Sequence, residues 1–280
     1  MLSADDFGLD LAVNEAIEAG HRDGLLSTAS LMVGEAAADD AIARARRLPG
    51  LKVGLHVVLA EGTPVSPPET IPGLVDKDGR LPGAMVRAGF RFFFLPGIRR
   101  QLEREIRAQF DAFARTGLPL DHANTHKHIH LHPTVARLIL KVGRDYGLRA
   151  LRLPAEPAAP LAAAGTRTGF GAAALNAWTG QLRRTIRRAG LATTDHVFGL
   201  AWTGAMTEER ILRLIPHLPD GTSEIYFHPA RSLTPHLART MPSYRHADEL
   251  AALLSPRVRA ALDLAGIGRT SFTALADRAA

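Results

Sequence analysis

The sequence predicts an α/β fold: a single-domain (β/α) barrel over residues 1–280, TIM-like and distorted or incomplete. Three observations predict it. Short apolar runs alternate with helical patterns at least six times along the chain, which implies βαβ units and a parallel sheet. Polar residues able to do chemistry recur where the apolar runs end, and in parallel α/β folds that end carries function. The chain has 280 residues, 46% apolar and 22% charged, which suits one barrel of about 250 residues, with no internal repeat or linker to divide it. An open doubly wound sheet is the alternative.

The elements follow in order. Leu2 leads into Ala4-Asp5-Asp6-Phe7-Gly8, leaving barely a strand before the acidic pair. Val13, Ile17 and neighbouring alanines repeat at helical spacing opposite Glu15, Glu18 and Arg22, with Gly24 as the stop. Ser27–Val33 reads as a strand, 35–48 as an alanine-rich helix halted before Pro49-Gly50, and Lys52–Leu59 as a strand containing His56. Residues 60–83, rich in Pro, Gly and Asp, form a loop of a length usually reserved for function or disorder. Ala84–Leu95 is a short helix carrying an aromatic cluster, and 98–116 a long amphipathic helix ended by Gly117. A histidine-rich strand follows, then a helix from Thr134 to Tyr146 and a strand over 148–153. Residues 154–172 read as loop, 173–189 as helix, 195–200 as strand, 207–214 as helix with Thr207 as its cap, 223–227 as strand, and 246–265 as one helix.

Composition excludes several classes. With no cysteine there is no disulfide, thiolate zinc site or cysteine nucleophile, so a bound metal must use His, Asp or Glu. The net charge of +6 is carried by arginines scattered over helix faces, without a basic run interleaved with aromatics, so nucleic acid is not an expected partner. The first residues lack a basic and then apolar leader, and no window reaches the ~20 apolar residues of a spanning helix, so a cytoplasmic protein is expected. A homodimer is compatible with the sequence.

The stretch from Leu120 to Pro133 alternates His126, His128, His130 and His132 with Lys127, Ile129 and Leu131. In an extended strand these histidines share one face, and neutral imidazole is the commonest metal-binding side chain. Asp5-Asp6, His56, this tract and His228 all fall at strand ends. Each has a plainer reading: a turn with a helix cap, a core histidine, a solvated strand. Their convergence argues for one site. Two histidines and a carboxylate with an open position make a hydrolytic metal centre, a second carboxylate can take the water's proton, and a histidine can protonate the leaving group.

Ala4-Asp5-Asp6-Phe7-Gly8-Leu9, Val53-Gly54-Leu55-His56, His126-x-His128-x-His130 and Phe227-His228-Pro229-Ala230 together resemble, in order, the signatures of the YdjC-like (ChbG/HpnK) carbohydrate deacetylases. The tract from Asn124 to Pro133, with Gly89–Pro96, looks closest to the hopanoid-biosynthesis-associated HpnK branch. The resemblance implies a distorted barrel and metal-dependent removal of an acetyl group from an acetamido sugar, here an N-acetylglucosaminyl hopanoid. It implies Asp6, His56 and His126 as ligands of one divalent ion (Zn or Mg, with Co or Ni compatible), Asp5 as base and His228 as acid. His128, His130 and Arg152 are candidate substrate contacts. Family members carry more apolar residues before the acidic pair, so a shortened first strand is expected. Alternatives are a deacetylase of soluble chitooligosaccharides, a two-carboxylate glycosidase, and a non-catalytic metal binder. The arginine-flanked phenylalanines of residues 87–100 predict a peripheral membrane contact beside the site.

Overall fold

A computed structural model of the chain describes residues 1–83, 89, 92, 95–166 and 169–279. At its centre lies a sheet of six strands in the order β4-β3-β2-β1-β6-β5. They are β1 (Leu2–Phe7), β2 (Thr28–Leu31), β3 (Lys52–Val57), β4 (Ala123–Thr125), β5 (His196–Phe198) and β6 (Ser223–Phe227). Every pairing is parallel.

The two edge strands are linked through residues 149–155. Arg152 N donates to Ala123 O at 3.0 Å, Leu151 N to Ala192 O at 3.0 Å, and Val197 N to Ala155 O at 3.0 Å. The strand expected over 148–153 is therefore reduced to single bridges, Ala123 with Leu151 and Ala150 with Ala192. Pro154 and Pro157, which have no N–H to give to a ladder, cut it short. The parallel six-strand sheet forms a half-barrel, consistent with a barrel distorted at this seam.

The helices are α1 (Leu11–Arg22), α2 (Ala38–Arg47), α3 (Pro96–Arg115), α4 (Pro133–Asp145), α5 (Ala158–Ala163) and α6 (Phe170–Arg188). They continue with α7 (Glu208–Leu214), α8 (Pro235–Thr240), α9 (His246–Leu254), α10 (Pro256–Leu264) and α11 (Phe272–Ala279). In α3, Ile98, Leu102, Ile106, Phe110 and Phe113 repeat at helical spacing and are buried. Two buried polar residues share that stripe and order the loop that follows β3: Gln109 binds both Val58 N and Val58 O, and Glu105 accepts from Val65 N and Ser66 N. That loop is thus a built element.

The first strand is six residues long, takes in both aspartates and is paired on each side. Several other expectations are corrected. The single helix expected over 246–265 is two, because Pro256 starts a new helix behind the Ser255 cap, which accepts from Arg257 N and Val258 N. Thr207 precedes α7 without a side-chain capping bond, and α5 lies within the stretch read as loop. The largest correction is the histidine tract. Only Ala123–Thr125 is strand; His126–Leu131 is a 3₁₀ segment in which Lys127 (φ 55°) and His128 (φ 52°) are left-handed. The alternate histidines therefore leave in different directions.

Of the short helix expected over 84–95, residues 84–88, 90–91 and 93–94 lie outside the described residues. Phe92 is buried and meets the His132 ring edge-on at 6.0 Å. Among the described residues, no helix is long and apolar enough to cross a membrane.

Candidate active site

Register brings the polar strand ends together. Ala4 faces Phe227 across β1–β6, so Asp5 and His228 come next on adjacent strands. His56 faces Asn124 across β3–β4. The β1–β2 register shifts between Ala4 and Phe7, and Asp6 sits in that irregularity with φ 63°. A left-handed aspartate is strained but tolerated at turns, here one closed by Leu9 N donating to Asp6 O at 3.0 Å.

Asp6, His56 and His126 each offer a ligand atom within 4.8 Å of the others, and all three are buried. Asp6 Oδ1 lies 3.1 Å from His126 Nδ1 and 3.4 Å from His56 Nε2. Asp6 Oδ2 is buried without a hydrogen-bond partner. An orphaned carboxylate oxygen this deep is costly unless something cationic completes it. The orphan and the hard/borderline O,N,N donor set fit a divalent cation. Burial pushes the Asp6 carboxyl up, but the adjoining imidazoles of His126 and His56 outweigh it and hold the group well below the ordinary carboxylate range.

Asp5 does not face those imidazoles in the same way. Its Oδ2 is 2.5 Å from Arg152 Nη1 and its Oδ1 accepts from Asn124 Nδ2 at 3.1 Å. Burial raises its pKa, and Arg152, with His56, more than reverses that, so Asp5 is an ionised carboxylate. Arg152, fully buried, is held in turn by Glu224 Oε1 through Nε (3.0 Å) and Nη2 (2.7 Å) and lies 5.0 Å over the Tyr226 ring. It thus supports Asp5 from within the barrel, away from any ligand-accessible surface.

His228 follows β6, and its backbone N donates to Glu249. Its Nδ1 is buried without a partner. Burial lowers its pKa to about 4 against the pull of Asp6 and Asp5. His130 is also fully buried: Thr125 Oγ1 lies 2.6 Å from its Nδ1 and Arg152 O 2.9 Å from its Nε2. With both nitrogens engaged, it braces the 3₁₀ segment. His128 Nε2 meets Tyr226 Oη at 3.0 Å, while its Nδ1 is buried and unpartnered. His132 caps α4, its Nδ1 accepting from Thr134 N at 3.3 Å. A cavity of about 10 Å³, water-sized, opens beside His126 between Leu9, Glu61, Lys127 and His236. A larger hollow, about 720 Å³, lies at the opposite end of the sheet around Met1, Leu2 and Ser223, away from these histidines.

Asn124, Glu224 and Tyr226 were not singled out from sequence. Asn124 stood within the tract, but nothing local marks Glu224 as the partner of Arg152, 72 residues earlier.

A family model described as YdjC-like protein matches residues 1–264. A protein of Brevibacillus brevis named carbohydrate deacetylase is 37% identical over 52% of this chain and 56% of its own length, so that match spans about half of each. A carbohydrate deacetylase of Geobacillus stearothermophilus is 30% identical over 95% of this chain and 94% of its own. A crystal structure from Enterococcus faecalis V583, described as that of a candidate cellobiose-phosphate cleavage protein, superposes with a TM-score of 0.76 over 97% of this chain and 96% of that one. At 23% identity that likeness concerns the fold alone.

Proposed function

The chain belongs to the YdjC-like family, and on that premise we propose that it is a metal-dependent deacetylase removing the N-acetyl group of an acetamido sugar. The observation that carries this is the Asp6–His56–His126 cluster beside a separately held, ionised Asp5. The carbohydrate deacetylase names of relatives matched over nearly the whole chain support it. We read residues 1–280 as one domain serving this site.

Asp6, His56 and His126 would hold a divalent ion, which when bound would supply Lewis acidity for hydrolysis of the acetamide. Asp5 takes the water's proton, and Arg152 keeps it ionised and oriented for that task. His228 gives a proton to the leaving nitrogen. At about 4, its pKa leaves it neutral at rest, so its proton must be gained during turnover. The proton collected by Asp5 is the source the site offers.

The preferred substrate in this reading is an N-acetylglucosaminyl hopanoid, supported by the likeness of residues 124–133 to the hopanoid-associated branch. Such a lipid stays in the bilayer, which would bring the enzyme to the cytoplasmic membrane face. Leu95 and Arg100, exposed around the start of α3, are available for that contact, whereas Phe92 is not.

The test is acetate release from an N-acetylglucosaminyl lipid and from chitobiose, with and without added divalent metal. Wild type should release acetate only when metal-loaded. Asp5→Asn and His228→Ala should retain metal and lose ~10²-fold or more in turnover. No acetate from any acetamido sugar by folded, metal-loaded protein would sink the proposal, and release from chitobiose alone would sink its lipid part.

A further inference from the structure

A chain of buried side chains runs from the far side of the sheet to His56. Asp121, just before β4, is anchored by α11: its Oδ1 accepts from Thr273 N at 2.8 Å and from Thr273 Oγ1 at 2.6 Å. Its Oδ2 accepts from Thr28 Oγ1 at 3.0 Å and lies 3.1 Å from His122 Nδ1. His122 Nε2 is 3.1 Å from Ser30 Oγ. Asn124 Nδ2 donates to Ser30 Oγ at 2.9 Å and to Asp5 Oδ1 at 3.1 Å, and Asn124 Oδ1 is 2.7 Å from His56 Nδ1. None of Asp121, His122, Ser30, Asn124 and His56 exceeds 3% exposure.

The chemistry of these groups fixes the direction of the bonds. A carboxylate accepts only. Burial raises the Asp121 pKa, but hydrogen bonds from His122 and Thr273 bring it down to about 2, so this carboxyl is ionised. His122 therefore carries its proton on Nδ1, its Nε2 accepts from the Ser30 hydroxyl, and Ser30 Oγ accepts from Asn124. The Asn124 amide has one workable orientation, since the reverse would set its carbonyl against the Asp5 carboxylate. Its Oδ1 thus faces His56, whose Nδ1 must carry a proton, leaving the Nε2 lone pair on the side of Asp6.

We infer that the relay Asp121–His122–Ser30–Asn124 is a positioning device that fixes the tautomer and ring orientation of His56, so that Nε2 is the nitrogen offered to a cation. The inference rests on the proposed ligand role of His56. A second feature of the sequence agrees with it. A Cβ placed on Gly54 would stand 2.3 Å from His122 Nδ1 and 2.6 Å from His122 O, so the glycine of Val53-Gly54-Leu55-His56 leaves room for the His122 ring to cross beside β3. Phe272 of α11 stacks on that ring at 4.2 Å.

Two variants separate the acceptor from mere packing: Asn124→Gln keeps an amide whose oxygen can face His56 and whose N–H groups can face Asp5 and Ser30, and Asn124→Leu removes the amide at similar volume. In metal-free protein with ¹⁵N-labelled histidine, wild type and Asn124→Gln should show a slowly exchanging His56 Nδ1–H, absent in Asn124→Leu. Zn²⁺ affinity, measured against a chromophoric chelator, should fall ~10–100-fold in Asn124→Leu and by clearly less in Asn124→Gln. Ser30→Ala, a milder change, should speed exchange of that proton. A wild-type His56 protonated on Nε2, or an Asn124→Leu protein with wild-type spectrum and affinity, would overturn the inference. The proton signal is read without metal or substrate. Wild type with the Nδ1–H in place but no Zn²⁺ binding would therefore defeat the deacetylase proposal while supporting the relay.

Discussion

Replacing Arg152 by methionine tests how the interior of the barrel supports the site. Arg152 is fully buried and pairs with Asp5 (2.5 Å) and Glu224 (2.7 Å), themselves almost inaccessible. Methionine fills most of the volume but leaves two buried carboxylates facing each other with no cation. Breaking such a pair from one side costs about 3–5 kcal/mol, equivalent to a melting temperature roughly 6–20 °C lower. Removing the opposing charge as well should recover part of this, so Arg152→Met/Glu224→Met should be clearly less destabilised than the sum of its single variants. The sign of one pH effect should also invert. With Arg152 present, the depressed Asp5 pKa means that its ionised form adds stability above the ordinary carboxylate range, lost as pH falls through the folded value. Without the guanidinium, burial dominates and raises the Asp5 pKa, so that contribution would instead decline as pH rises. Chemical denaturation followed by circular dichroism across pH 2–8 measures both. A single variant within about 1 kcal/mol of wild type, or single-variant costs that simply add, would show that the buried pair does not hold this site.

Two further outcomes are expected. His56→Ala and His126→Ala should lose most bound metal after dialysis, whereas His130→Ala should keep it and lose about 1–3 kcal/mol of stability, because the Thr125 hydroxyl and Arg152 carbonyl are left unpaired; elemental analysis with melting curves separates these, and stoichiometric metal in His126→Ala would remove it from the ligand set. Glu249 is raised by burial to about 7 from 4.5, despite bonds from Met206 N and His228 N, so its contribution is full below pH 4.5 and lost as pH rises through 7. Wild type should therefore lose about 3 kcal/mol over that window relative to Glu249→Gln, and parallel profiles for the two proteins would contradict it.

Local and repetitive features were legible in the chain alone. The alternation of apolar runs with helical patterns specified a parallel α/β fold, and Ser223–Phe227 was legible to the residue because both ends carry strong punctuation, Gly221 before and Pro229 after. The order Asp5-Asp6, His56, His126, His228 marked the strand ends, and register then brought Asp6, His56 and His126 within ligand distance. Tertiary structure decided the rest. The histidine tract alternates as a strand should, yet Lys127 and His128 turn left-handed. His130, bound to Thr125 and to the Arg152 carbonyl, and His126, bound to Asp6, hold the chain there more strongly than pattern holds it extended. Arg152 looks from sequence like any other arginine of a basic chain. Only the closing of the barrel sets it between Asp5 and Glu224, because a buried charge must find its counter-charges wherever the fold supplies them. The same holds for Asn124, whose two ends reach His56 and Asp5 across β3 and β1. Periodicity reports which way a side chain faces, whereas what it faces depends on strands distant in sequence.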